Sequence, residues 1–227
     1  VYDVELVVTT QTGGCSDSIT IPVRVHPSPT AAFTATNECF GVANEFTDGS
    51  TVPQGNISTY SWDFGDMNTA AVASPSHTYQ SDGGYTVTLE VETDSGCTDQ
   101  ITQNVSVYPL PVASFSVVPD SICLPGEIQL VDESTVSSGA VVSYGYSISD
   151  GSTSTSPNPT FYYTTPGTYT VSLEVFTDQG CTDDTTVSNA FTVHPKPVAK
   201  FTFEPQPASE FDPVVDFFDQ SSGASEW

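Results

Sequence analysis

Between residues 85 and 92 the chain alternates without a break: Tyr85, Val87, Leu89 and Val91 fall on one side, and Thr86, Thr88, Glu90 and Glu92 on the other. A period of two predicts an extended strand with one face on a core and one in water. Residues 169–175 repeat the pattern with Tyr169, Val171, Leu173 and Val175, and residues 2–8 repeat it with Tyr2, Val4, Leu6 and Val8. Shorter runs around 31–36, 44–48, 57–64 and 101–107, separated by Gly, Pro, Asn and Asp clusters, predict further strands. Seven or so short strands in each stretch of about 84 residues describe a small β-sandwich.

The pattern recurs because the sequence recurs. "YDVELVVTTQTGGCSD" (2–17), "YTVTLEVETDSGCTD" (85–99) and "YTVSLEVFTDQGCTD" (169–183) are versions of one segment, as are "VHPSPTAAF" (25–33), "VYPLPVASF" (107–115) and "VHPKPVAKF" (193–201). Tyr85 to Tyr169, Cys97 to Cys181 and Cys39 to Cys123 each span 84 residues. Internal repetition of this kind marks a tandem array. The expected organisation is the end of one repeat (1–27), two complete repeats (28–110 and 111–196) and the start of another (197–227), a window on a longer array. The expected fold is all-β: immunoglobulin-like sandwiches arranged end to end.

One stretch, "YSWDFGD" (60–66), invites a chemical reading, because Asp63-Phe64-Gly65 spells the metal-binding tripeptide of a protein kinase. That reading needs a glycine-rich phosphate loop and a catalytic lysine. Only Arg24, Lys196 and Lys200 are basic, and no such loop occurs. Alternation explains the stretch better: Tyr60, Trp62 and Phe64 share a face, Gly65-Asp66 turns the chain, and Tyr144, Tyr146 and Ile148 take the same places in the next repeat. "EW" (226–227) begins the segment again. A Trp in the middle of a sandwich strand predicts the large residue of the core.

Trp62-Asp63-Phe64-Gly65-Asp66 resembles the "W-D-F-G-D-G" signature of PKD domains, with Met67 in place of the usual glycine. His77, Tyr79, Gly83, Tyr85, Val87 and Leu89 resemble that family's second motif, as do Phe161, Tyr163, Gly167, Tyr169, Val171 and Leu173. "YSISDG" (146–151) departs from the tryptophan motif. The resemblance implies an immunoglobulin-like fold. It leaves function open, since such modules serve as spacers, adhesive repeats and enzyme appendages.

Composition narrows the partners. Against 28 Asp+Glu stand 3 Lys+Arg, a net charge of −25, which excludes nucleic acid and anionic membrane surfaces as partners because both are bound through cations. No apolar run is long enough to insert in a membrane as a helix. The five cysteines are spaced regularly: Cys39 to Cys97 and Cys123 to Cys181 both span 58 residues. Equal spacing predicts one disulfide per repeat in an oxidising, extracellular setting, with Cys15 paired upstream of residue 1. Two thiols per repeat without nearby histidine do not make a zinc site. His26 and His194 alternate with Tyr108 at a linker position, and His77 with Phe161, so no acid/base centre is indicated and no catalysis is expected. Asp94, Asp99, Asp178, Asp183 and Asp184 flank the cysteine-bearing hairpins and are candidate calcium ligands, since hard oxygen donors suit that ion.

These readings predict a non-catalytic structural or adhesive segment of a long secreted protein at the cell surface. It resembles the large gliding-motility and adhesion proteins of Bacteroidota (SprB type), which implies type IX export. Its expected partners are neighbouring repeats in the same chain and an extracellular polysaccharide or surface ligand. The alternative is an accessory module of an extracellular polysaccharide- or protein-degrading enzyme. The joints Pro27-Ser28-Pro29, Pro109-Leu110-Pro111 and Pro195-Lys196-Pro197 are short and proline-fixed, which predicts an extended array with limited bending. Small-angle scattering on the segment checks this: an elongated profile that does not change with salt is expected, and a compact or salt-dependent one means the joints are hinges.

Overall fold

The computed structural model describes residues 1–204 and 214–223. Trp227, expected to reopen the tryptophan segment, lies outside the described residues. Every regular element among the described residues is a strand. The chain divides into two compact units, Val1–Tyr108 and Pro109–Trp227.

The first unit opens with a hairpin of β1 (Tyr2–Thr9) and β2 (Ser16–Val23). Its alternation matches the later repeats, but Val4, Leu6 and Val8 are exposed. Then follow β3 (Phe33–Ala35), β4 (Glu38–Cys39), β5 (Asn44–Asp48), β6 (Ile57–Asp63), β7 (Thr69–Ala70), β8 (Ser76–His77), β9 (Gly83–Thr93) and β10 (Thr98–Tyr108). They form a sheet ordered β4-β10-β9-β6-β7 and a second ordered β3-β5-β8. All pairings are antiparallel except β4 with β10.

The second unit repeats this plan with β11 (Phe115–Val118), β12 (Ser121–Cys123), β13 (Gly126–Asp132), β14 (Val141–Ile148), β15 (Thr153–Ser154), β16 (Thr160–Tyr163), β17 (Gly167–Thr177) and β18 (Thr182–His194). The sheet orders, β12-β18-β17-β14-β15 and β11-β13-β16, are the same. A last antiparallel pair, β19 (Phe201–Glu204) and β20 (Asp216–Asp219), occupies the places of β3 and β5.

Burial follows the predicted alternation. In β9, Val87, Leu89 and Val91 are fully buried, as are Val171, Leu173 and Val175 in β17. Trp62 faces Leu89 across the β6–β9 ladder and Tyr146 faces Leu173 across β14–β17, so the two large rings fill one position in two copies of the core. Phe33, Phe46 and Phe64 pack around Trp62 with ring centroids 5.0, 5.6 and 6.4 Å away. Burial of each such ring contributes about 1.5–3 kcal/mol. The paired bulges at Ile57/Thr59 and Val141/Ser143 also coincide. The repeats differ in β18, which is two residues longer than β10, 13 against 11. The excess is taken up by a register shift beside Asn189, which has φ +56°.

Tyr79 and Tyr163 show what an imperfect copy does. Tyr79 donates its hydroxyl to the Phe64 carbonyl at 3.2 Å, while the buried Tyr163 hydroxyl has no partner among the described residues. Burial pushes both hydroxyls well above their ordinary pKa, so both stay neutral. A buried unpaired polar group costs about 1–3 kcal/mol, and a net hydrogen bond gives about 1. Tyr163→Phe is therefore expected to leave stability unchanged or raise it, and Tyr79→Phe to lower it by about 1 kcal/mol. Urea unfolding of the two variants beside the parent checks the opposite signs.

Candidate functional site

The signature residues are structural. Trp62 is 0% exposed, so it offers no face to a ligand, and its Nε1 donates to the Val72 carbonyl at 2.9 Å. Tyr146 reproduces that contact, donating its hydroxyl to the Pro157 carbonyl at 3.2 Å. Asp63 accepts the Gly65 amide at 2.9 Å and closes the turn after β6. Gly65 has φ +79°, and a Cβ there would lie 2.5 Å from the Thr86 carbonyl oxygen, so only glycine fits. Met67, at φ +74° and fully exposed, takes a left-handed conformation that costs a non-glycine residue about 1 kcal/mol. Its counterpart Gly151 has φ +92° at no such cost. Tyr85 and Tyr169 each donate to the carbonyl four residues upstream, Ser81 and Thr165, both at 2.9 Å. This pins the entry of the long hairpins in the manner of a tyrosine corner.

Asp66 accepts from the Asn68 amide and side chain at 3.1 and 2.9 Å, and pairs with His77 Nε2 at 2.7 Å. His77 stacks on Phe64 at 4.3 Å. Burial pushes the Asp66 carboxyl up, but the bonds from Asn68 and His77 outweigh it and hold the group below the usual carboxylate range. The second complete repeat lacks the pair: Phe161 replaces His77, and Asp150 accepts only the Ser152 amide at 2.8 Å.

The candidate calcium ligands have other employment. Asp99 accepts the Ala31 amide at 2.9 Å, and Asp183 accepts the Ala113 amide at 2.8 Å, each tying the incoming chain to its hairpin. Asp94 accepts from Ser95, and Asp178 from the Ala140 amide. Asp184 is exposed opposite Glu174, a like-charge pair across β17–β18 that is unfavourable. Among the described residues no three carboxylate, histidine or cysteine side chains converge as a metal site would require. Sequence reasoning missed what many aspartates do: Asp48, Asp132 and Asp219 each accept the amide two residues on, at 3.0 Å, from Ser50, Ser134 and Ser221. The signal was present as "DGS", "DES" and "DQS".

The cysteines require a correction. Cys39 lies beside Tyr108 at the far end of β10, and Cys97 lies just before Thr98 at its start. Cys123 and Cys181 flank opposite ends of β18 in the same way. An 11-residue strand spans roughly 35 Å, and a disulfide needs Cα atoms about 4.4–6.8 Å apart, so the expected Cys39–Cys97 and Cys123–Cys181 bonds cannot close. Cys15, Cys97 and Cys123 are free thiols, so neither expected pair is formed. Each complete repeat thus carries a cysteine at either pole.

A shallow depression on the outer face of the second repeat is lined by Gly145, Ser147, Thr153, Thr155, Glu174 and Asp184. Its one aromatic, Tyr146, is buried and offers a sugar no stacking surface. The family model described as PKD domain matches residues 26–107 and 110–193, both complete sandwiches. The chain belongs to the PKD domain family.

As a PKD pair it is similar to the pre-pro-metalloprotease PrtV of Vibrio cholerae, 29% identical over 163 residues, which is 70% of this chain and 17% of that protein. It is 31% identical over 105 residues to collagenase ColA of Bacillus cereus, 42% of this chain and 11% of that one. The chain therefore spans well under two thirds of the curated relatives it matches. The crystal structure of the PKD1 domain of PrtV is 35% identical with a TM-score of 0.34, covering 35% of this chain and 96% of that one.

The Asp66 site gives the first unit of the PKD pair an acid sensitivity. A carboxyl held below its unfolded value stabilises the fold above the unfolded pKa of about 3.9. That contribution is lost as pH falls through the lower folded value. At pH 6, Asp66→Asn is expected to cost about 1 kcal/mol. The gap to the parent should close as pH falls below about 4. Thermal unfolding across that range checks it, and Asp150→Asn serves as the control with a smaller gap.

Proposed function

We propose that this chain is a non-catalytic spacing module in the accessory part of an extracellular protein-degrading enzyme. One geometric observation carries the spacing role. In each repeat the chain enters beside the β9–β10 or β17–β18 turn, through Ala31 on Asp99 or Ala113 on Asp183, and leaves at Tyr108 or His194 at the other end of the same strand. One sandwich thus advances the chain by roughly 35 Å. Relatives that include a pre-pro-metalloprotease and collagenases support the enzymatic setting over a gliding adhesin. They are proteins of Vibrio and Bacillus, which lends no support to the Bacteroidota and type IX expectation. An extracellular location agrees with them; a protein substrate is the ligand class they favour over a polysaccharide.

The test uses the full-length gene product. It is expected to hydrolyse gelatin or casein, and removal of residues 28–196 should leave cleavage of short peptides intact while slowing attack on insoluble protein fibres. A full-length product built of further such repeats, with no hydrolytic activity, overturns the proposal and restores the adhesive stalk.

A further inference from the structure

We infer that the Arg24–Val25 bond is a processing site for a serine-type protease directed at basic residues, and that both complete sandwiches are closed to such an enzyme. The inference begins from where the few cations stand. Residues 25–195 contain no Lys or Arg, so a trypsin-like specificity pocket, which holds a cationic side chain, finds nothing to grip in either complete repeat. That immunity is chemical and does not depend on folding. Only Arg24, Lys196 and Lys200 remain.

Two of these three are guarded. Lys196 precedes Pro197, whose ring encloses the leaving nitrogen and restricts the residue before it, so the bond between them is a poor substrate. Lys200 leads into β19. Its amide donates to Ser221 Oγ at 3.0 Å, and its carbonyl accepts the Gln220 amide at 2.8 Å. Those bonds must open before a protease can seat the chain.

Arg24 is the reverse. It stands one residue past the end of β2, and Arg24, Val25 and His26 are all exposed. Residues 24–29 lie outside any strand, and among the described residues none of them makes a backbone–backbone hydrogen bond. The residues just upstream are already extended in β2, which pairs with β1 along one edge and, among the described residues, with no strand along the other. An extended segment with a free edge is the form that a strand-pairing partner accepts. Downstream, side chains tether the segment: Ser95 Oγ bonds His26 Nδ1 at 2.9 Å, and Cys97 Sγ lies 3.9 Å from the His26 carbonyl oxygen. Neither contact occupies the Arg24 carbonyl or the Val25 amide.

The reaction is acyl transfer to water. The protease's serine adds to the Arg24 carbonyl carbon, the bond to the Val25 nitrogen breaks, and that nitrogen leaves as an amine with the serine's proton. Water then releases Arg24 as a carboxylate. The cut frees β1 and β2 from the sandwich that follows without breaking a strand. This inference does not rest on the enzymatic setting, because an adhesive array would be processed at the same bond.

The test treats the 227-residue chain, native and heat-unfolded, with trypsin at neutral pH and follows the intact masses. Native protein is expected to give residues 25–227 first, with cutting after Lys200 slower by at least about tenfold. Unfolded protein should be cut after both Arg24 and Lys200, leaving residues 25–200 in one piece. Arg24→Gln should abolish the native cut while leaving the melting temperature unchanged. A native chain that resists at Arg24, that is cut first after Lys200, or that is cut as fast with Arg24→Gln in place overturns the inference.

Discussion

The long hairpin is the part on which everything else depends. Ten consecutive Cα pairs, from Gly83–Val107 to Glu92–Thr98, join β9 and β10 into one stiff ribbon. On its inner face, Val87, Leu89, Val91, Val105 and Val107 supply the floor on which the aromatic layer sits. Its length sets the distance between the poles, and its ends carry the residues that receive the chain and release it. β17 and β18 repeat the arrangement, with the two added residues of β18 absorbed beside Asn189 so that the pole still falls at His194. A sandwich tolerates such an insertion on an edge of its register because the inner face resumes its alternation after the bulge.

Much of this was legible because alternation is a direct consequence of strand geometry. The places of Trp62 and Tyr146 could be read before any coordinates, since a period of two leaves one face for them. What alternation does not show is hydrogen bonding. That Tyr146 would reproduce the Trp62 contact, and that Tyr163 would lose the contact of Tyr79, depend on where carbonyls in the facing loops lie. The cysteines failed for a different reason. Spacing of 58 in both copies is produced equally by a bond within each repeat and by a bond from each repeat to the next, because a strictly periodic pattern is blind to that shift. Only the β4–β10 and β12–β18 registers, which place the two thiols of a repeat at opposite poles, show that the bond within a repeat does not close.

The acidity that excludes anionic partners has a second use inside the fold. Among the described residues the only ion pair is His77–Asp66. With three Lys+Arg, carboxylates cannot be neutralised by salt bridges, and aspartate instead serves the backbone. Asp48, Asp63, Asp132 and Asp150 turn the chain by accepting an amide two residues ahead, and Asp99 and Asp183 hold the entering strand. Such bonds are local and survive where charge pairing is scarce. The remaining carboxylates stay in water, where like charge favours solubility and discourages association between copies.

Small sandwiches meet a difficulty of scale. A domain of about 84 residues buries a limited core, and stability per repeat is modest. Disulfides within each repeat would address that directly, yet the poles hold the thiols too far apart for it. Each core stands instead on its aromatic layer, Phe33, Phe46 and Phe64 around Trp62 in the first repeat and Phe115 beside Tyr146 in the second. At the joint Pro109-Leu110-Pro111 the backbone lies outside any sheet, so between the two complete repeats that segment is the most open to cleavage.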